Sequence, residues 1–180
     1  MKTFLAVSCL ALLSLSVIPA MADPGDWPWW RGPERNGVAD PDQDLPIEMG
    51  AEQNLKWSVD LPGRAHGSAS VVGDRVFLAT ADEERQVQAV HAFDRETGKE
   101  LWKTEVHRGG FVQKSNKKAS WASGTPACDG ERVFINFINE DAVFTTALSV
   151  GTGEQLWQTR ITGYTIHQGY GSSPAVWEDL

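Results

Sequence analysis

The 180-residue sequence predicts an all-β protein made of a repeated four-stranded unit, and three observations predict it. Two different elements recur along the chain in the same order, which is the mark of a repeat architecture. Short runs of β-branched and aromatic residues alternate with Gly/Asp turn pairs. No stretch after residue 22 has a helical period.

Taken in order, "MKTFLAVSCLALLSLSVIPAMA" opens with Lys2, runs apolar from Phe4 to Ile18 and ends in Ala20-Met21-Ala22. That is the charged, apolar and small-residue order of a secretory signal, so residues 1–22 are expected to be removed, leaving Asp23 first. The apolar run is shorter than the roughly 20 residues a spanning helix needs, and serines dilute it.

Residues 23–53 are rich in Pro, Asp and Gly and open with "WPWWRGPERNG". Exposed together, Trp27, Trp29 and Trp30 would form an adhesive patch. They are expected to clamp this segment, as a strap, across neighbouring parts of the fold. The alternative is that three adjacent indoles stack on a sugar ring.

The repeat follows. "FDRETGKELWKT" (93–104) matches "LSVGTGEQLWQT" (148–159), placing Gly98 on Gly153 and Trp102 on Trp157. "GSASVVGDRVF" (67–77) matches "GTPACDGERVF" (124–134), and "GSSPAV" at 171 begins a third copy. "NLKWSV" (54–59) is a partial copy with Trp57 in the tryptophan position. Strands are expected near 68–72, 75–80, 87–93 and 99–104, and again near 125–128, 132–138, 142–149 and 154–160. The Thr-Gly steps supply the positive φ of tight hairpins. Recurrence of Trp57, Trp102 and Trp157 at one place in the unit marks packing between units. Four antiparallel strands per unit of this length is the pattern of a β-propeller blade. The organisation expected is therefore a closure strand at 54–60, blades at 67–104 and 124–160, and a partial blade at 171–180.

Those motifs carry a resemblance. "TGKELW" and "TGEQLW", with "TPA" or "SSPA" before the next unit, are similar to the repeats of pyrroloquinoline-quinone-type (PQQ-like) β-propellers, a group that includes quinoprotein alcohol dehydrogenases and BamB. The resemblance implies about eight blades, so the chain is expected to be an N-terminal fragment of two blades and the start of a third. Its unpaired edges are expected to make the fragment association-prone, whereas the full-length protein is expected to be a monomer.

The composition excludes some functions. The net charge is −8 with no Lys/Arg cluster, which argues against a nucleic-acid partner or a polybasic membrane patch. Beyond the leader only Cys128 remains, so the region has no internal disulfide. Asp40, Asp42 and Asp44 have calcium-loop spacing, but Leu45 and Ala51 stand where that loop needs glycine and glutamate. "GTGEQL" lacks the third glycine of a dinucleotide fingerprint, and no hydrolase, zinc-protease or phosphate-loop motif occurs.

One constellation survives. His66, His107 and His167 all fall in connections from one blade's outer strand to the next blade's inner strand, on one face of a propeller. Trp121 and Tyr170 fall there too, with Arg64, Arg108, Tyr164 and the insertion 108–121. Long connections on one face of a repeat array are where binding resides. The candidate binding residues are His66, His107, Trp121, His167 and Tyr170, and no catalytic or metal-ligating set is expected. The function expected is an exported, periplasmic or secreted, non-catalytic module that binds a protein, peptide or glycan. The alternative, which the resemblance implies, is a quinone-dependent dehydrogenase using PQQ with calcium. Quinoproteins of that kind place a disulfide of adjacent cysteines beside the cofactor, which Cys128 alone does not supply.

Overall fold

A computed structural model describes residues 23, 25–112, 116, 118–165 and 169–177. Residues 1–22, His167 and the last three residues lie outside that set. Eight strands form two four-stranded antiparallel sheets, each in simple sequence order. The first contains β1 (Ser70–Val72), β2 (Arg75–Asp82), β3 (Val87–Asp94) and β4 (Glu100–Arg108). The second contains β5 (Ala127–Cys128), β6 (Arg132–Asn139), β7 (Ala142–Ser149) and β8 (Gln155–Gly163). These are two consecutive blades of a β-propeller. The outer strands β4 and β8 run several residues beyond their expected ends, and β5 is only two residues long because Pro126, which has no N–H to give a ladder, precedes it.

The two sheets repeat down to their irregularities. Pairing of β3 with β4 shifts register between Gln88 and Ala89 and between Ala92 and Phe93. Pairing of β7 with β8 shifts between Val143 and Phe144 and between Ala147 and Leu148, the matching places. A bulge bends the strand and re-aims the next side chain. Here the second shift in each sheet immediately adjoins the partner of Trp102 or Trp157.

Trp102 reaches across to the second blade. Its indole N–H donates to the Val150 carbonyl at 2.9 Å, and its ring lies on Gly153. A Cβ at Gly153 would sit 2.6 Å from that ring, and φ there is +72°, so glycine is required twice over. Trp57 repeats the contact one unit earlier: its N–H donates to the Arg95 carbonyl at 2.9 Å, and its ring lies on Gly98 at φ +70°. Each ring also meets a phenylalanine of the first blade, Trp57 with Phe93 and Trp102 with Phe77.

Residues 54–60, expected as a closure strand, form no strand: a strand needs a ladder partner, and none lies beside them among the described residues. The tryptophan keeps its repeat role without the sheet.

The core lies between the blades. Phe77, Ala79, Ala81, Val90, Ala92 and Val106 from the first face Val133, Ile135, Phe137, Ile138 and Leu148 from the second. Small alanines on one side receive large side chains on the other, which is how a flat interface reaches close packing. No helix of the described residues is long and apolar enough to cross a membrane.

Candidate functional site

The connection face is built by the residues just before each inner strand. The His66 N–H donates to the Ala122 carbonyl at 2.9 Å, which draws the entry to blade one against the entry to blade two. Gly67 then passes so close to Gly124 that a Cβ would lie 2.2 Å from its carbonyl oxygen. Next, Ser68 N–H donates to Thr125 Oγ1 at 3.0 Å, and Thr125 N–H donates to Ser173 Oγ at 2.9 Å. Ser68, Thr125 and Ser173 occupy one position of the repeat. The Thr125 and Ser173 hydroxyls thus each satisfy a backbone donor of the unit before, which explains the Thr in "GTPA" and the Ser in "SSPA".

The expected site residues sit at different depths of this face. The side chain of His66 is exposed. His107 lies on β4 with its ring against Phe144 (5.2 Å between centroids) and edge-on to Phe137 (6.1 Å). Its Nε2 is buried without a hydrogen-bond partner, and burial pushes its pKa down to about 4, so the ring is neutral. Trp121 is buried in the inter-blade core beside Phe111 at 5.1 Å. Tyr170 is half-buried against the same core and meets Tyr164 edge-on at 5.5 Å. Burial raises its pKa. His167 lies outside the described residues. The structure therefore gathers Trp121, Tyr164 and Tyr170 around one core, with His107 against its Phe137 and His66 in solvent. Among the described residues no three His, Cys, Asp or Glu are grouped to hold a metal ion.

Two polar networks escaped the sequence reading. Buried Gln88 gives its amide protons to the carbonyls of Trp121 (2.9 Å) and Ile138 (3.0 Å). Asn139 beside it donates to the Gly109 carbonyl at 2.8 Å. Together they fasten the two ends of the long connection, Trp121 to blade one and Gly109 to blade two. The second network is Thr80–His91–Glu100. His91 Nδ1 lies 2.8 Å from Glu100 Oε2, and its Nε2 lies 2.9 Å from Thr80 Oγ1. With a carboxylate at Nδ1 the proton sits there, so Nε2 accepts from the threonine. The order hydroxyl–imidazole–carboxylate matches a nucleophile triad, but Thr80 and His91 are both sealed from solvent. Desolvation lowers the His91 pKa against the opposing pull of Glu100. Cys128 is a buried free thiol whose pKa burial raises to about 11, so it carries none of the thiolate character of a reactive cysteine.

With this geometry in place, comparison with known proteins is informative. Residues 50–168 match the PQQ_2 family, described as outer membrane protein assembly factor BamB. The chain belongs to that PQQ-like family. Among curated proteins it is 30% identical over 146 residues to a polyvinylalcohol dehydrogenase of Sphingopyxis sp. (strain 113P3), covering 81% of this chain and 20% of that protein. It is 27% identical over 141 residues to a polyvinylalcohol dehydrogenase of Pseudomonas sp., covering 78% of this chain and 20% of that one. The chain thus spans about a fifth of the length of these curated relatives. Similar solved structures include a europium-containing methanol dehydrogenase (TM-score 0.45, 17% identity, 60% of this chain and 19% of that one). Another is BamB from Moraxella catarrhalis (TM-score 0.41, 21% identity, 59% of this chain and 28% of that one).

Within the PQQ-like repeat, the His91 network had one faint signal. The alternation in "QVQAVHAF" puts His91 on the same face as Val87, Ala89 and Phe93. A polar side chain on an apolar face needs partners. Nothing local names Thr80 and Glu100, which come from the two neighbouring strands.

Proposed function

We propose that this chain forms part of an exported PQQ-like propeller that acts as a binding or scaffold module, with the connection face as its recognition surface. The supporting observation is the Ser68–Thr125–Ser173 relay, which ties successive blades together at that face and so presents the connections from a rigid base. His66 and Tyr170 would touch the ligand. His107 and Trp121 would position the connection from beneath. The proposed ligand is a protein, peptide or glycan of the cell envelope, and the full-length protein is proposed to be a monomer in the periplasm or secreted.

Calorimetry of the full-length protein, against peptides cut from outer-membrane proteins and against cell-wall glycan fragments, tests this. Saturable binding is expected, lost in His66→Ala and in Tyr170→Ala, the first at unchanged melting temperature. Binding that survives both substitutions would place the surface elsewhere.

The names of the curated relatives support a second reading, oxidation of a hydroxylated chain with PQQ and calcium. The residues described here do not fit such a group. Trp57 and Trp102 lie against the glycines of the repeat, Trp121 is packed on Phe111, and Cys128 is single and buried. Full-length protein given PQQ and calcium is expected to show no dye-coupled oxidation of alcohols or aldoses. Dye reduction that requires both additions would put the dehydrogenase first.

A further inference from the structure

Among the described residues, the inner strands β1 and β5 each have one edge with no strand beside it. In a propeller that edge faces the central channel, and its backbone groups need partners. The strap supplies them. Trp27 N–H donates to the Val71 carbonyl at 2.7 Å, and the Trp27 carbonyl accepts from Val71 N–H at 2.9 Å. One residue on, the Pro28 carbonyl accepts from Cys128 N–H at 2.8 Å. Farther along, the Arg35 guanidinium donates to the Val176 carbonyl while lying over the rings of Trp29 (5.0 Å) and Trp177 (5.2 Å).

Val71, Cys128 and Val176 occupy the same position of the repeat, in "GSASVV", "GTPAC" and "SSPAV". The strap therefore meets one equivalent inner-strand residue in three successive units. Its start is anchored as well. Buried Asp26 accepts from Gly73 N–H at 2.9 Å and lies 3.8 Å from Arg95, which itself donates to the Gly73 and Gly25 carbonyls. Gly32, at φ +73°, leaves room for the Trp27 ring, which a Cβ would meet at 2.6 Å. Gly73 and Arg95 belong to the β1–β2 and β3–β4 turns. That is the end of the blade opposite the connection face.

We infer that residues 26–35 plug the central channel at the turn end of the propeller, leaving the connection face as its mouth. Trp27, Trp29 and Trp30 serve the plug unequally: Trp27 pairs with blade one, Trp29 holds Arg35, and Trp30 stays 58% exposed. The inference rests on the fold and not on the proposed ligand, so a failed binding assay leaves it standing.

Residue-resolved hydrogen exchange on the full-length protein tests it. In the native protein the Val71 and Cys128 amides should be protected, although they lie on an edge without a neighbouring strand. Asp26→Asn and Trp27→Ala should speed their exchange by about tenfold or more, as a local opening does. The Phe77 and Ile135 amides of the central strands should stay protected. Where a variant loses protection everywhere, Arg35→Ala, which spares the Trp27 bridge, gives a second readout. It should raise the rate of Cys128 alkylation, followed on its own peptide by mass spectrometry. Free exchange of Val71 and Cys128 in the native protein would overturn the plug. So would protection and alkylation rates that no strap substitution changes.

Discussion

The two blades share a scaffold and differ in what they carry between its strands. Turns, bulges and clamps coincide: Gly98 with Gly153, Trp102 with Trp157, and the paired register shifts in both sheets. The faces do not coincide. On the face of blade two that meets blade one, Phe137 is buried in the core and Thr146 accepts from Gln158 at 2.9 Å. At the same repeat positions blade one has Thr80 and His91, linked to Glu100. The repeat therefore constrains the rim and the seams between blades. The interior of each face is free to follow whatever packs on it.

The largest effects should come from that face contrast. Phe137→Ala opens a cavity in the inter-blade core and should cost about 3–5 kcal/mol. Thr80→Ala removes one hydrogen bond and little volume, and should cost about 1 kcal/mol. Denaturant titration of the full-length protein compares them, and equal costs would erase the distinction between the two faces.

The shared clamp comes next. Gly153→Ala would drive a methyl into the Trp102 ring and force a side chain to positive φ, a cost of about 2–4 kcal/mol. Gly151→Ala, two residues away, has only Ser149 Oγ at 4.0 Å and should be nearly silent. Comparable melting losses for both would mean that the ring contact is not what the glycine serves.

The repeated parts were legible in the sequence because their chemistry is local. Thr-Gly followed by Leu-Trp states a turn, a positive φ and a large ring within six residues, and the copies state it again. The strap was half legible. Its tryptophans signalled a clamp, but only the structure shows that Trp27 and Pro28 meet the inner-strand edges through backbone atoms, which carry no residue code. The connection face was legible as a location. It was illegible as a depth, because whether His107 or Trp121 points to solvent depends on Phe137, Phe144 and Phe111, which reach it from other segments. Likewise the Thr80–His91–Glu100 line needs the register of three strands before its members become neighbours.

Acid should act on these two histidines through their burial. Folding lowers the pKa of both His107 and His91, so as pH falls the unfolded chain takes up protons first. Their contribution to stability is complete above about 6.5 and is lost as pH drops toward the folded value, about 4 for His107. His107→Phe keeps an aromatic ring beside Phe144 and should flatten the fall in melting temperature over that interval. An undiminished fall would assign the acid sensitivity to other groups.

The smallest effect should be at Glu100, where the side chain is 46% exposed and solvent screens its charge. Glu100→Gln keeps an acceptor oxygen for His91 Nδ1–H and removes the charge, so the stability loss should stay below about 1 kcal/mol. The titration is the sharper measure. The bond to Glu100 and its charge both raise the His91 pKa, against desolvation, which lowers it. Removing the charge should therefore move the His91 midpoint to still lower pH, followed by NMR of its ring protons in the full-length protein. Thr80→Val, which deletes the hydrogen bond at Nε2 and leaves the carboxylate, should leave a charge-raised midpoint in place. A midpoint that rises in Glu100→Gln would mean that the carboxylate does not stabilise the imidazolium, and the polar line across blade one would reduce to Thr80 and His91 alone.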